Sequence, residues 1–163
     1  MHNPKKSHME AAIRVVRYLN APGLNILLSS KNTSQLSIYC DADWGTCPMS
    51  RRSVSGFVVK LRGSLLYWKS KKQNTVLRSS TEAEYRSMAN AVAEIVWLVG
   101  LFKELGTSVH LPVRLHYDSK AVLQIAANSI YHERTKHIEI DCHFIREKIQ
   151  EGLVHTEYVS NTF

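Results

Sequence analysis

The sequence has few cysteines, and their number and spacing do not suggest a fold held by disulfide bonds. Cys40, Cys47 and Cys142 are three in 163 residues, an odd number without a CxxC pair. A disulfide framework is therefore not expected, and a reducing, intracellular compartment fits this cysteine usage.

Long apolar runs are also missing. No stretch approaches the roughly 18 consecutive apolar residues that a membrane-spanning helix needs. The N-terminal stretch MHNPKKSHMEAAIRVV has no apolar core of the kind that a signal peptide carries. We therefore expect no membrane partner. Repeats and low-complexity segments are absent too, and a 44% hydrophobic content is enough for one globular core.

Acidic residues are outnumbered by basic ones. The chain has 21 Lys and Arg against 14 Asp and Glu, a formal net charge of +7. This surplus favours a polyanionic partner, with nucleic acid as the leading candidate. Residues 51–86 concentrate the charge, and basic side chains next to hydroxyl donors suit phosphate contacts. A solvated hairpin would have the same composition. The candidate phosphate-binding residues are Arg51, Arg52, Lys71, Lys72, Ser79 and Ser80.

Apolar periodicity predicts the order of the structural elements. Residues 5–19 have apolar side chains at spacings of three and four and predict an amphipathic helix, and residues 24–30 are a candidate short strand. Strands are predicted over 35–43, 53–61, 64–70, 112–118 and 153–160, and helices over 81–105, 119–128 and 138–152. Arg62 and Gly63 would turn a hairpin. Strands that alternate with helices after an initial meander predict an α/β fold with a mixed sheet.

The start of the long helix allows two capping boxes. Thr81 with Glu84 fits the pattern, and Ser79 with Glu82 competes with it. Gly106 would end the same helix.

Acids occur where regular elements begin or end. Asp41 and Asp43 end the first strand, Glu82 and Glu84 lie in the first turn of the long helix, and Asp118 ends the fourth strand. If the first and fourth strands pair, Asp41 and Asp118 meet at one end of the sheet, and the long helix can bring a glutamate to them. Grouped carboxylates repel unless cations lie between them, and carboxylate oxygens suit Mg²⁺.

Each acid alone has a simpler explanation. Asp118 could cap the following helix, Asp43 could belong to a turn, and the two glutamates would favourably meet a helix dipole. Only their combination, with the strand order and the basic charge, indicates a cation site.

Several long blocks of the sequence match one family. They are YCDADWG, RRSVSGFVV, YWKSKKQNTVLRSSTEAEYRSMA, LHYDSKAVLQIA and HERTKHIEIDCHFIREKI. From about residue 34 onward the chain resembles the ribonuclease H region of a copia-type retrotransposon polyprotein. The opening helix resembles the connection segment that follows reverse transcriptase there. The expected organisation is a connection segment over 1–33 and a ribonuclease H-like domain over 34–163.

The resemblance implies a fold, an activity and a site. The fold would be a five-stranded mixed sheet flanked by helices, and the activity endonucleolytic cleavage of RNA in RNA–DNA hybrids with two Mg²⁺ or Mn²⁺ ions. The catalytic, metal-binding acids would be Asp41, Glu84 in AEY and Asp118 in YDS. Reverse transcriptase of the same polyprotein would be a partner, in the cytoplasm, a virus-like particle or the nucleus. Ser119 would join the nucleic-acid-binding residues, and Asp43, Glu82 and His137 are possible secondary residues.

One departure from the family pattern leaves the function open. The family has a fourth acid in a helix after the last strand, and we expect that helix to be missing here. Asp141 lies in the helix before the last strand and does not receive the role. The alternative is an impaired remnant that binds nucleic acid or supports a polymerase. A DNA-directed nuclease or integrase on the same general fold is disfavoured by the YDS and TEAEY contexts.

A second cluster, of histidines and a cysteine, raises the question of a zinc site. His132, His137, Cys142 and His143 lie near one another in the sequence, but their spacings follow no known zinc finger and only one is a cysteine. Zinc is therefore not expected.

Overall fold

The structure is a computed structural model that describes residues 6–19, 34–119 and 139–160. The described residues form three helices and five strands. In chain order they are α1 (Lys6–Leu19), β1 (Gln35–Asp43), β2 (Val54–Leu61), β3 (Ser64–Lys72), α2 (Ser80–Glu104), β4 (His110–Tyr117), α3 (Glu139–Gln150) and β5 (Val154–Tyr158).

The five strands form one sheet in the order β3-β2-β1-β4-β5. The first three strands pair antiparallel, as a meander does, whereas β4 is parallel to β1 and β5 is parallel to β4. The mixed sheet expected from the alternation of strands and helices is therefore confirmed.

The hairpin between β2 and β3 turns at the predicted residues. Arg62 and Gly63 both have positive φ, 56° and 79°, which matches the backbone of a tight two-residue hairpin turn. β3 is two residues longer than predicted, because Lys71 and Lys72 still pair with Ser55 and Val54 of β2. Both lysines are exposed, so no apolar alternation marks this end of the strand.

The start of α2 resolves the choice between the two capping boxes. Ser79 is the N-cap: its Oγ accepts a hydrogen bond from the Glu82 N–H at 3.2 Å, and Glu82 Oε2 accepts one from the Arg78 N–H at 2.9 Å. The alternative box of Thr81 and Glu84 is wrong, and the helix begins one residue earlier than predicted. Because the cap uses Glu82, the Glu84 carboxylate remains available to the neighbouring strands.

The core lies between one face of the sheet and helices α2 and α3. Leu36 and Ile38 of β1 and Leu115 of β4 are fully buried there. Burying side chains of this size contributes about 1.5–3 kcal/mol each. The helices meet them with Met88, Val92, Ile95 and Ile145, all fully buried.

The opposite face of the sheet carries larger and more polar side chains. Tyr39 stacks on His116 with ring centroids 4.3 Å apart, and Lys60 Nζ lies 4.9 Å from the Tyr39 ring centroid. Trp68, predicted to be a core or sheet-face residue, belongs to this face with 51% of its surface exposed.

Helix α1 is confirmed, but its role is not tested. Its apolar residues Met9, Ile13 and Val16 are exposed. The division into a connection segment over 1–33 and a ribonuclease H-like domain over 34–163 stays a prediction. The candidate strand over 24–30, and the predicted helix over 119–128 apart from Ser119, lie outside the described residues. No described helix combines the length and the apolarity needed to cross a membrane.

Candidate active site

The strand register brings two of the predicted acids to the same end of the sheet. Ile38 pairs with Leu115 and Tyr39 with His116 in the parallel ladder between β1 and β4. Continuing this register by two residues places Asp41 beside Asp118, on strands about 4.8 Å apart. The predicted pairing of the first and fourth strands is confirmed.

Helix α2 is tied to this end of the sheet by a buried hydroxyl. Ser87 donates a hydrogen bond from Oγ to the backbone carbonyl of Asp41 at 2.6 Å, and the residue is 1% exposed. Glu84 lies three residues earlier, on the same side of the helix. The tether therefore sets the height of Glu84 above Asp41.

The environment of Glu84 shows that the three acids interact. Burial raises the pKa of the Glu84 carboxyl, and the negative charges of Asp118 and Asp41 raise it further. A hydrogen bond from the Ser119 side chain acts in the opposite direction. The Ser119 hydroxyl thus orients the Glu84 carboxylate among like charges. The repulsion among these carboxylates is unfavourable unless a cation binds between them.

The negative charge of the acids also raises the pKa values of two buried side chains beneath them. Burial raises the pKa of the Cys40 thiol, and Asp41 and Asp118 add to the effect. Burial also raises the pKa of Tyr117, to which Cys40, Glu84, Asp41 and Asp118 contribute further. We call Asp41, Glu84 and Asp118 the acidic corner.

The predicted secondary residues have different surroundings. Asp43 ends β1 on the same face as Asp41, and its backbone carbonyl accepts a hydrogen bond from Thr46 Oγ1 at 3.4 Å. Glu82 belongs to the helix cap. His137 lies outside the described residues.

The basic members of the predicted nucleic-acid-binding set lie on the β1–β2 loop and at the end of β3. Arg51 and Arg52 are exposed on the loop, whose backbone closes through a hydrogen bond from the Arg51 N–H to the Cys47 carbonyl at 2.8 Å. The Lys72 side chain at the end of β3 interacts with the Cys47 thiol of the loop and, with the Ser50 backbone, lowers the pKa of Cys47 to about 6.

The three predicted serines differ in the hydrogen bonds that their side chains already form. Ser79 caps α2, Ser80 is exposed in its first turn, and Ser119 hydrogen-bonds Glu84. Binding of nucleic acid by these serines, as by the basic residues, stays a prediction.

The donor chemistry of the acidic corner fits a hard divalent cation. Among the described residues, no three His, Cys, Asp or Glu side chains lie close enough together to coordinate one metal ion. Asp41, Glu84 and Asp118 nevertheless offer only carboxylate oxygens, the ligands that Mg²⁺ prefers. Within the described ranges neither Asp41 nor Glu84 forms an ion pair, so a cation bound by these two carboxylates would displace no lysine or arginine from them.

The described members of the histidine and cysteine cluster diverge. Cys142 is buried in the core, whereas the His143 side chain is 81% exposed and faces Glu147 at 4.0 Å. His132 and His137 lie outside the described residues.

Two residues that position the site escaped prediction from the sequence. Ser87 is a polar residue on the buried side of α2, three positions after Glu84, and that spacing is the signal that could have found it. Gln73 follows β3 and is 6% exposed, and its Nε2 donates to Ser55 Oγ at 2.7 Å and to the Ala83 carbonyl at 3.1 Å. Both connect the start of α2 to the strands.

The chain is similar to curated retrotransposon proteins over nearly its whole length. It is 42% identical to the retrovirus-related Pol polyprotein from transposon RE1 of Arabidopsis thaliana over 161 residues, 98% of this chain and 11% of that protein. It is 35% identical over 152 residues to the corresponding polyprotein from transposon TNT 1-94 of Nicotiana tabacum, 93% of this chain and 11% of that protein. The chain thus spans about a tenth of the length of these relatives. No protein-family model matches it.

Solved structures share its fold. LC11-RNase H1 in complex with an RNA/DNA hybrid aligns with a TM-score of 0.57 at 14% identity, over 78% of this chain and 86% of that one. A foamy viral protease-reverse transcriptase in complex with double-stranded DNA aligns with a TM-score of 0.60 at 15% identity, over 99% of this chain and 25% of that one. At these identities the likeness concerns the fold, which is that of ribonuclease H. The sequence relatives show that the chain corresponds, over nearly its whole length, to a segment of the retrovirus-related Pol polyproteins of copia-type transposons.

Proposed function

We propose that this chain is the ribonuclease H of a retrotransposon polyprotein, which cuts the RNA strand of RNA–DNA hybrids endonucleolytically and depends on divalent cations. The observation that carries the proposal is the acidic corner. Asp41 and Asp118 lie at adjacent strand ends, and Glu84 on α2 interacts with both. The family and the fold support the same reaction, because LC11-RNase H1, which shares the fold, has been solved with a hybrid bound.

Asp41, Glu84 and Asp118 would hold two Mg²⁺ ions, for which Mn²⁺ can substitute. When bound, such ions supply activation of a water molecule and neutralise charge that develops on the phosphodiester. The chain itself orients the ligands: Ser119 fixes the Glu84 carboxylate, and Ser87 holds α2 against the Asp41 backbone. Asp43, Glu82 and His137 would have secondary roles.

The substrate would lie along the basic side of the molecule. Arg51, Arg52, Lys71 and Lys72 would contact phosphates, which fixes the register of the duplex without reading its sequence. Their hydroxyl neighbours Ser79, Ser80 and Ser119 would add hydrogen bonds. Reverse transcriptase of the same polyprotein would be the protein partner, inside the cell that carries the element, in its cytoplasm, virus-like particles or nucleus.

The test is cleavage of a hybrid with labelled RNA by Asp118→Asn. We expect its rate in Mg²⁺ to fall at least about 100-fold, the size typical of removing a group that stabilises transition-state charge. Hybrid binding and cooperative unfolding should be retained, since the side chain keeps its shape. Asp43→Asn is the matched control, for which we expect a change of a few-fold at most.

An Asp118→Asn protein that cuts at the wild-type rate would refute the assignment of the site. A wild-type chain that binds hybrid but cuts it in neither Mg²⁺ nor Mn²⁺ would refute the hydrolase and leave a nucleic-acid-binding role.

A further inference from the structure

The hydroxyl of Tyr117 is a buried polar group without a partner. The residue ends β4 and is 1% exposed, and within the described ranges its Oη neither donates nor accepts a hydrogen bond. A buried, unpaired hydroxyl destabilises a fold, whereas a phenylalanine of the same shape would avoid that cost. The position of this hydroxyl therefore requires a physical explanation.

Tyr117 lies directly beneath the acidic corner, on the face of the sheet that α2 covers. It shares the buried face of β4 with Leu115, two residues earlier. Continuing the β1–β4 register by one pair places Tyr117 beside Cys40, and the pair after that is Asp41 and Asp118. The hydroxyl therefore stands between the apolar core and the three acids.

Glu84 is the carboxylate that lies on the same face of the sheet as this hydroxyl. Asp41 and Asp118 each follow an inward-facing residue, so the alternation along a strand turns their exposed side chains away from the covered face. Glu84 instead stands on α2, which packs on that face. Burial raises the pKa of Tyr117, and after Cys40 the charge of Glu84 contributes more than that of either aspartate.

The other titratable groups of this layer suit the hydroxyl less well. Among the described residues, no lysine or arginine shifts the pKa of Tyr117 or of Glu84. Arg146 of α3 acts on the neighbouring Tyr85 instead. The Cys40 thiol is only a weak donor and a weak acceptor. The Tyr117 hydroxyl and the Glu84 carboxylate are therefore the donor and the acceptor that fit each other best here.

The Glu84 carboxylate has room for a second donor. Its two oxygens offer about four acceptor sites, and the hydrogen bond from the Ser119 side chain uses one of them. A hydrogen bond from a hydroxyl to an ionised carboxylate is about twice as strong as one between neutral groups. Because Glu84 has a long side chain with several rotamers, a change of rotamer is sufficient to bring the two groups together.

We propose that the Tyr117 hydroxyl donates a hydrogen bond to the Glu84 carboxylate and positions it for the cations of the acidic corner. Tyr117 holds the carboxylate from the side of the core and Ser119 from the end of β4, which leaves its remaining acceptor sites for a cation. Tyr117 is thus a positioning residue that acts through Glu84. Its role towards cations rests on the proposed function, whereas the hydrogen bond itself needs no cation.

The experiment is a double-mutant cycle on cation-free protein, in EDTA at neutral pH. Tyr117→Phe removes only the hydroxyl, and Glu84→Leu removes the acceptor without opening space for water. In the wild-type background Tyr117→Phe should raise the unfolding constant in urea about 10-fold, the size typical of losing a hydrogen bond to a charged group. In the Glu84→Leu background it should leave the constant unchanged or lower it, since the hydroxyl has no acceptor there.

Glu94→Leu is the matched control. It makes the same substitution elsewhere in α2, at a carboxylate that lies 3.9 Å from Lys69 of β3. In this background Tyr117→Phe should raise the unfolding constant as much as in the wild type. If Glu84→Leu does not fold, Glu84→Gln replaces it: its neutral amide carbonyl accepts a weaker hydrogen bond, so the effect of Tyr117→Phe should be smaller than in the wild type.

Titration with Mg²⁺ alone, without nucleic acid, gives a readout that a purely structural role would not change. Stability rises with Mg²⁺ in a way that depends on the Kd of the folded protein, so unfolding curves at several concentrations yield that Kd. Tyr117→Phe should raise the Kd several-fold, because Glu84 is no longer held in place. A variant that only weakened the fold would unfold more easily at every Mg²⁺ concentration with the same Kd.

The outcomes separate this inference from the proposed function. Equal effects of Tyr117→Phe in the wild-type and Glu84→Leu backgrounds, or a Tyr117→Phe protein more stable than the wild type, would overturn the hydrogen bond. Coupling with an unchanged Kd for Mg²⁺ would overturn the positioning role. A chain that cuts hybrid but shows no coupling keeps the hydrolase and loses this inference. A chain that shows the coupling but cuts hybrid in neither Mg²⁺ nor Mn²⁺ keeps the bond and loses the hydrolase.

Discussion

The first turns of α2 separate two regions of opposite charge, and two cysteines show the difference. Cys40 lies under the acidic corner, where burial first and then Asp41 and Asp118 raise the pKa of its thiol. Cys47 lies on the β1–β2 loop beside the end of β3, where Lys72 first and the Ser50 backbone next lower its pKa to about 6. The two thiols are seven residues apart in the sequence, and the fold gives them opposite surroundings.

Elsewhere the chain pairs its charges instead of grouping them. On α3, Lys148 Nζ lies 2.7 Å from Glu147 Oε1 and 2.9 Å from Glu151 Oε1. Such a surface network needs no ligand. Grouped like charges repel, so the acidic corner would gain from the cations proposed to bind there.

The largest effect should appear when a cation is supplied to the acidic corner. Because the pKa of Glu84 is raised in the folded state, the free energy of unfolding decreases as pH rises from the ordinary value of 4.5 through the raised pKa, and the penalty persists at neutral pH. Mg²⁺ should offset it and, at about 100 times its Kd, add about 2.7 kcal/mol. Urea unfolding of the wild type with and without Mg²⁺, across this pH range, measures both.

Glu84→Gln should lose this pH dependence, be more stable than the wild type at neutral pH without Mg²⁺, and gain less from Mg²⁺. Glu94→Gln, in the same helix but beside Lys69 of β3, is the control and should gain as much as the wild type. Equal gains for Glu84→Gln and wild type would show that Glu84 does not hold the cation.

An intermediate effect is expected from Ser87→Ala. The variant removes the hydroxyl that donates to the Asp41 carbonyl, which should cost about 0.5–1.5 kcal/mol in the free energy of unfolding. Cleavage should also slow, since the height of Glu84 over Asp41 is no longer set. Ser108→Ala, an exposed serine, should change stability by less than about 0.5 kcal/mol. An unchanged midpoint for Ser87→Ala would show that the tether is unimportant.

The smallest effect concerns reactivity and leaves stability untouched. Alkylation of folded protein by iodoacetamide should be half-maximal near pH 6 at Cys47, because the thiolate is the reactive form. Cys40 and Cys142 are buried and should react only after unfolding. Lys72→Ala should move the Cys47 midpoint towards the ordinary 9.0, whereas Lys60→Ala should not, as mass spectrometry of the labelled peptides would show. A wild-type midpoint already near 9.0 would contradict the described surroundings of Cys47.

Local patterns were sufficient to predict most elements. The strand over 35–43 has the predicted bounds, because its alternation is strong and a turn follows it. Helix α2 was predicted to within one residue at each end, since Gly106 at φ 69° stops it. The true cap was not decidable, because both capping boxes satisfy the same spacing and only their surroundings distinguish them. The end of β3 was missed because exposed lysines on an edge strand have no apolar pattern.

Part of the candidate site was also predictable from the sequence, and part was not. The sequence alone indicated that Asp41, Asp118 and Glu84 stand at the ends of two strands and the start of a helix, and the structure brings these positions together. Their roles as metal ligands stay a prediction, as do those of the phosphate-binding residues. The cavity between β3 and α2 was not predicted. Lys71 and Arg86, which line it, belong to different elements, and the local sequence pattern of one element does not indicate which other element packs beside it.

The sequence by itself determined the charge of the chain, the type and order of its elements, and the side of each element on which a residue stands, because these depend on neighbours a few positions away. Tertiary structure alone decided the parallel pairing of β1 with β4, the bond from Ser87 to the Asp41 carbonyl 46 positions away, and the space between β3 and α2. Periodicity specifies the face that a side chain occupies on its own helix or strand. Which other face it meets depends on how the whole core packs.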